Sequence, residues 1–463
     1  MYLKPKTNTN GTPGNGCLFC PFYGDGQGFV PDKLEDQSEV LVVGQNPGAD
    51  EEAGRRLIGY DGPKRPKYEA CNPQPFIGET GHAMDTRYIP QSGVSRDSIS
   101  LGNSIRCRLN HHNDLPGLHQ VNIRKAIEHC HKAHFKLPPK TKLIVAQGNY
   151  ALYAMTGQGQ LENHKIDSWR GFMLPFQPIG GGYESSNMIY TPQLSDKTIP
   201  VLATYHIAYT LYDPTAIVVT KWDWGKISKY LAGKWPQYLP PINYGPPQVW
   251  PQVTAFDTEY IPSIKEFICY SMYDGKELRV SDILLRGDWL SDGKPHIIFH
   301  NAVADIPYLR ELFPEYSFDD TMHQHAVLWS DFPHDLGFLG SLYCSINRWK
   351  HLDYLNPKLY SAADAFATWE IHNALKLELD RDPRSKLIYE TKNLKLPLII
   401  LRAHETGIKV NPAKAKIRYE ERLAKVRDLG VRAQAIAGWP INTRSNPQVS
   451  HHIFDVESLN KIT

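Results

Sequence analysis

Apolar residues along this chain fall into short continuous runs separated by stretches of helical spacing. That is the texture of buried parallel strands packed between helices. Residues 39–43 (EVLVV) run into a Gly/Pro turn, residues 142–146 (KLIVA) lead to a helix from Asn149, and residues 200–204 (PVLAT) end at Tyr205-His206. This alternation predicts an α/β domain with a largely parallel sheet over residues 1–233. Residues 234–252 (KWPQYLPPINYGPPQVWPQ) are dense in proline and predict an extended, semi-rigid linker. Beyond it, residues 253–256 are strand-like, and residues 267–273 and 277–280 flank the turn Asp274-Gly275. The strand-like run 295–299 (PHIIF) and a helix near 305–312 follow. These predict a second α/β domain, 253–384, opening with a hairpin meander. From about Lys386 the texture changes to charged stretches with helical spacing, predicting a helical segment over 385–463 whose main helix ends at Gly438-Trp439-Pro440.

At 463 residues, with 41% hydrophobic and 11% aromatic residues, the chain has material for two or three cores, which excludes wholesale disorder. There is no run of about 18 apolar residues, so no membrane span is expected. The first residues, MYLKPKTNTNGTPGNG, lack the apolar core of a secretory signal, and a cytoplasmic location is expected. The formal net charge of +2 neither demands nor excludes nucleic acid. Seven cysteines, an odd number in a long chain without an export signal, argue for reduced thiols over disulfides. The close pair Cys17-x-x-Cys20 then reads as part of a metal or cluster site.

The second domain carries three carboxylate motifs in order. Asp257 and Glu259 sit two apart at the end of a strand, so both face one side. Asp305 follows a strand end (HNAVAD) and enters a helix; Tyr360 and Asp364 are four apart, on one face of a helix. Four acids gathered at a sheet edge call for divalent cations, and Mg²⁺ or Mn²⁺ suit oxygen ligands. Two such ions about 3.5–4 Å apart serve phosphodiester hydrolysis, with the tyrosine hydroxyl orienting the water. An isolated Asp-x-Glu is most often a solvated strand end; the ordered set is much rarer.

Over residues 253–380 this set resembles the 3′→5′ proofreading exonucleases of the DEDD type, in the tyrosine-containing subclass found in bacterial family A DNA polymerases. Asp319-Asp320-Thr321-Met322 and His334-Asp335-Leu336 read like that family's intermediate strand and helix. The resemblance implies an RNase H-like α/β domain. Asp257, Glu259 and Asp364 would hold a first Mg²⁺ or Mn²⁺, Asp257 and Asp305 a second, and Tyr360 would position the nucleophile. Ala304 stands where an aromatic residue is common in the family. The tail resembles the segment joining exonuclease to polymerase thumb: LPLIILRAHETGIKVNPAKA, then INTRSNPQVS with Asn442, Ser445, Pro447 and Gln448 in place. This implies the N-terminal portion of a replicative polymerase acting on single-stranded 3′ ends and primer-template DNA. Palm and fingers are absent from the sequence and would belong to the rest of a split or longer polymerase. Such a fusion suits a bacteriophage replication protein working in host cytosol.

The first domain resembles the family 4 uracil-DNA glycosylases over about residues 14–230. The resemblance is carried by Cys17-Leu18-Phe19-Cys20, the turn Gly44-Gln45-Asn46-Pro47-Gly48, Pro75-Phe76-Ile77-Gly78, Asn103-Ser104-Ile105-Arg106-Cys107, Cys130 and Thr204-Tyr205-His206. It implies a three-layer α/β/α fold and a [4Fe–4S] cluster on Cys17, Cys20, Cys107 and Cys130, with Cys71 left over. Four thiolates equally suit a zinc ion, which stays the alternative. In the implied pocket Phe76 stacks the flipped base, Asn103 reads its edge, the 44–48 turn holds the water and His206 stabilises charge on the departing base. Here the chain departs from the family, because Gln45 stands at the expected catalytic glutamate and its neighbour is Asn46. Neither amide titrates. Asp50, Glu51 and Glu52 are placed too far along the turn to serve. A domain that binds DNA and senses uracil or a modified pyrimidine is therefore favoured over a fast glycosylase. Two readings stand: a proofreading exonuclease portion of a polymerase, and a base-sensing or base-excising module whose nuclease is vestigial.

Overall fold

The computed structural model describes residues 17–23, 28–62, 65–108, 118–157, 166–177, 198–261, 266–283, 294–309, 316–353 and 355–456. The first lobe contains β1 (Val40–Gly44), a hairpin of β2 (Arg55–Tyr60) and β3 (Pro66–Ala70), then β4 (Ile99–Asn103), β5 (Leu143–Gln147), β6 (Met173–Pro175) and β7 (Pro200–Thr204). Five of these form one sheet in the order β4-β1-β5-β7-β6, parallel except for the edge strand β6. The continuous apolar runs are explained by burial on both faces. Val40, Val42, Leu143 and Val145 pack under Met84, Tyr88 and Trp224, while Leu41, Val43, Ile144 and Ala146 pack under Ile127, Leu152 and Met155. Helices thus cover both sides, the expected three layers. Register pairs Gly44 with Asn103 and Gln147 with Thr204, so the carboxyl ends of four parallel strands finish level. In open α/β sheets, that edge is where ligands bind.

The second lobe has β8 (Ile242–Tyr244), β9 (Val253–Ile261), β10 (Glu266–Tyr273), β11 (Leu278–Ser281), β12 (His296–Phe299) and β13 (Ser317–Asp320). They form one sheet in the order β13-β12-β9-β10-β11-β8. β9, β10 and β11 make an antiparallel meander around the expected Asp274-Gly275 turn, and β12 and β13 run parallel to β9. The long helix Pro357–Arg381 packs on β9, β10 and β11, burying Ala362, Phe366 and Ile371 against Cys269 and Val280. The helix expected near 305–312 spans Ala302–Leu309; residues 310–315 lie outside the described residues.

The proline-rich stretch is not the free linker expected of 234–252. Its residues 242–244 are β8, paired parallel with β11, and Trp235 and Trp250 are buried. Two tryptophans give this segment more apolar surface to bury than a solvated polyproline spacer carries. Nor do the expected boundaries at 233 and 384 separate compact bodies. The chain divides into residues 1–397 and 398–463. The two lobes of the first unit are fused by a buried polar junction. Arg170 donates to both oxygens of Asp223 and, 2.7 Å away, to Ser341 Oγ, while Lys226 Nζ donates to the carbonyls of Gly171 and Ser341 at 2.5 and 2.7 Å. Asn347 exchanges two hydrogen bonds with the backbone of Met173.

In the second unit the helix Pro412–Ala437 starts at an Asn411 cap and stops at Gly438, whose φ of 73° is the left-handed C-terminal signal. The Gln448 side chain accepts from the Asn442 amide at 2.8 Å, closing the INTRSNPQ loop. Among the described residues no helix is long and apolar enough to cross a membrane.

Candidate functional site

The first group of expected site residues stands at the carboxyl edge of the first sheet. Gly44 ends β1, and a β-carbon there would lie 2.7 Å from both the Phe76 ring and Asn103 Oδ1. Glycine therefore lets the aromatic face and the amide close over one point. Phe76 adopts φ 57°, unusual for a bulky residue and a mark of local backbone strain. Glu51 holds it there: its carboxylate accepts from the Gly48 amide at 2.6 Å and from the Phe76 amide. Burial raises the Glu51 pKa against these bonds. The helix Ala49–Ala53 turns Glu51, expected too far along the turn to serve as a base, back onto the Gly48 and Phe76 amides, which occupy both its oxygens.

Asn103 is buried, and among the described residues its Nδ2 has no hydrogen-bond partner. A second buried amide, Gln147 Nε2 at the end of β5, is likewise unpartnered, and Gly148 after it packs on His206. Gln147 was not anticipated; its only signal is its place directly after the apolar run 142–146. His206 Nδ1 accepts from the Ala208 amide at 3.2 Å, and burial pushes its pKa down to about 4. The ring is thus neutral, with its proton on Nε2 and available to donate. Asn46 Nδ2 is turned to the Pro47 carbonyl at 3.1 Å.

Cys17, Cys20, Cys107 and Cys130 are free thiols, and the Cys130 sulfur is close enough to Cys17, Cys20 and Cys107 to help raise their pKa. Burial first, then the neighbouring sulfurs, push Cys107 up to about 12; burial likewise takes Cys20 up to about 11. Cys17 Sγ lies 3.1 Å from His134 Nε2, and Arg106 Nη1 lies 3.5 Å from Cys130 Sγ. Cys71 stands apart, its amide bonded to the Gly54 carbonyl at 2.8 Å.

The second lobe gathers Asp257, Glu259 and Asp364. Among the described residues these form the one group of three His, Cys or acid side chains with ligand atoms all within 4.8 Å; the sulfurs are spaced more widely. Burial first, and Asp364 second, raise Asp257 to about 7; burial and the same acids raise Glu259 to about 10. Ser361 Oγ donates to Asp257 Oδ2 at 2.9 Å. Asp305 is not in this group. Its Oδ1 accepts from the amide and hydroxyl of Thr258 at 2.9 and 2.6 Å, which ties it to β9. Tyr360 and Asp364 share one helical face as expected, and a residue not anticipated joins them: Lys350 Nζ contacts Tyr360 and both oxygens of Asp364. Trp349 Nε1 also donates to Asp364. Between the lobes, a cleft of 540 Å³ is lined by Tyr205 and Tyr209 on one wall and by Phe332, Phe338 and Lys350 on the other.

Residues 31–232 match the profile of the Uracil DNA glycosylase superfamily. The type-4 uracil-DNA glycosylase of Archaeoglobus fulgidus is 22% identical over 220 residues, 48% of this chain and 90% of that protein. That of Saccharolobus solfataricus is 22% identical over 230 residues, 50% of this chain and 88% of that protein. The solved structure of Escherichia coli RNase D, an exoribonuclease, aligns with 34% of this chain at 15% identity and a TM-score of 0.26. The chain spans about half of that protein's length, 46%.

Proposed function

We propose that the first lobe binds DNA and accepts one flipped uracil-type base, which it holds and slowly excises. The observation that carries this reading is the unpartnered, buried Nδ2 of Asn103 beside the Phe76 ring at Gly44. A buried donor without a partner is costly, and a pyrimidine carbonyl stacked on Phe76 satisfies it. The neutral Nε2–H of His206 stabilises negative charge on the base as its bond to C1′ breaks. No titratable base stands in the 44–48 turn, and the Glu51 oxygens are already used, so water adds to C1′ without strong activation. This makes excision slow and binding the dominant property. The four thiols fit a [4Fe–4S] cluster. Around one zinc, at about 2.3 Å per bond, sulfurs approach to about 3.8 Å, whereas among the described residues no three of these sulfurs lie within 4.8 Å of one another. Such a cluster would tie the 17–20 turn, the segment after β4 and the helix Leu118–His134 together.

The test uses anaerobically purified Asp257→Ala/Asp364→Ala protein, end-labelled uracil-containing DNA and alkali treatment. Tighter binding to uracil than to thymine DNA, with alkali-labile breaks that His206→Ala abolishes, is the expected result. Equal affinity for both DNAs overturns the reading.

The converged acids favour a second activity, metal-dependent hydrolysis of 3′-terminal nucleotides. The order and polarity of β11-β10-β9-β12-β13 support an RNase H-like lobe, and Asp257, Glu259 and Asp364 would hold Mg²⁺ or Mn²⁺, which supply charge neutralisation at the scissile phosphate. Tyr360 would orient the attacking water. The family A polymerase context rests on the tail residues Asn442, Ser445 and Gln448. If Asp257→Ala leaves Mg²⁺-dependent shortening of a frayed 5′-labelled primer unchanged, this second activity is absent.

A further inference from the structure

The hairpin β2–β3 lies between the pocket's 44–48 turn and Phe76, and nothing in the glycosylase-type chemistry uses it. Its root is fixed. Gly54 takes φ 64°, where a β-carbon would collide with the Cys71 carbonyl, and the Leu57 amide donates to the Ile77 carbonyl at 2.8 Å. Leu57 is buried, Arg55 binds Asp50 at 2.6 Å, and Arg56 reaches Asp85 at 3.5 Å. The root is therefore joined to both the turn helix and the segment that carries the stacking ring.

Beyond the root the ribbon stands in solvent. All five residues of β3 are exposed, and Ile58, Tyr60 and Tyr68 are exposed although apolar or aromatic. A two-stranded ribbon without a core of its own is marginal alone. Its charge is also concentrated: residues 55–70 hold five basic side chains and two acids, in a chain whose formal net charge is only +2. Arg55 and Arg56 are committed to Asp50 and Asp85. Arg65 and Lys67 are exposed, and Lys67 pairs across the ladder with Gly59, so no side chain opposite covers it. The Arg55 guanidinium sits 5.3 Å over the Tyr68 ring. At about 3.4 Å per residue, a five-residue ribbon reaches some 17 Å from the pocket, the length of about five base-pair steps.

We infer that this hairpin is a DNA-gripping arm, with Arg65 and Lys67 on the phosphates of the strand whose base enters the neighbouring pocket. The inference rests on the first lobe acting on DNA. Phosphate contacts carry no sequence information, so the arm sets affinity and its salt dependence without choosing the base.

The test measures binding of Asp257→Ala/Asp364→Ala protein to single-stranded uracil and thymine DNA across a salt series. Adding Arg65→Ala/Lys67→Ala is expected to reduce the slope of log K against log salt by about 1.4, at about 0.7 per single-strand phosphate contact. It should weaken uracil and thymine DNA alike. Lys136→Ala/Lys140→Ala, an equal charge change elsewhere on the lobe, should leave the slope unchanged. An unchanged slope in the hairpin variant, with the parent binding DNA, overturns the arm alone. A parent that binds no DNA overturns both the arm and the reading it rests on.

Discussion

Lys350 sets its ammonium 2.7 and 2.9 Å from the two carboxylate oxygens of Asp364 and 2.8 Å from the hydroxyl of Tyr360. Burial works against its charge, but Asp364 and Tyr360 outweigh burial and hold its pKa above the ordinary lysine value. This lysine is a counter-ion to Asp364, and it anchors the phenol to which the proposed nuclease assigns the attacking water. Lys350→Met should lower the stability of the metal-free protein by about 3 kcal/mol, the scale for breaking a buried ion pair. Mg²⁺ should restore much of that loss, while the maximal rate of 3′-end degradation falls at least about tenfold. Thermal melts with and without Mg²⁺, beside a nuclease assay, check both; identical melts in metal-free buffer count against the counter-ion role.

The acids also make the proposed metal binding depend on pH. Asp257 has its folded-state pKa raised to about 7 by burial and then by Asp364. Between its unfolded value and 7, the metal-free native state therefore holds a proton that the unfolded chain has released. Stability from this group is present below the unfolded pKa and is lost as pH rises through 7. Metal binding expels that proton, so Mg²⁺ should raise the melting temperature more at pH 8 than at pH 5.5. A Mg²⁺ increment that shrinks with rising pH would contradict the burial of Asp257.

Asn103 offers a direct test of base reading. Asn103→Asp replaces the unpartnered donor with an acceptor and should reduce the preference for uracil over an abasic site by about tenfold or more, at 1–3 kcal/mol for an unmatched buried polar group. The fold should tolerate it, since Nδ2 has no protein partner to lose. Competition binding with uracil-containing and abasic oligonucleotides reads the change.

The buried strands were legible because double-sided burial writes continuous apolar runs, as at 39–43, 142–146 and 200–204. The end of the main tail helix was legible from Gly438-Trp439-Pro440, the pairing of Asp257 with Glu259 from a spacing of two, and the shared face of Tyr360 and Asp364 from a spacing of four. Other features left no such trace. Glu51 folds back onto the Gly48 and Phe76 amides, a holding role that its distance along the turn does not report. Lys350 reaches Asp364 from a single 3-10 turn, Lys350–Leu352, too short for a periodicity to reveal it. The residues of β3 are all exposed, and the pattern that reports a core is silent about a ribbon without one. The proline-rich segment misled because its prolines outweighed Trp235 and Trp250, which bury it.

The junction between the lobes should be stability-critical. Arg170 and Asp223 are buried, and their closest ion-pair contact is 2.6 Å. Arg170→Ala would leave Asp223 buried without its partner, at about 3–5 kcal/mol. The double change Arg170→Met/Asp223→Asn should recover part of the loss. Denaturant melts of the three proteins decide this; a single variant as stable as the parent would mean that Asp223 finds other compensation.

That junction has a geometric corollary. Buried ions that would be stranded by separation do not slide, so the pocket edge at Gly44 and the acid cluster at Asp257 keep one fixed spacing. If the two proposed sites engage one strand, the first unit works as a gauge: the strand is measured in a constant number of nucleotides, and the position of a base in one site sets the register of the chain end in the other.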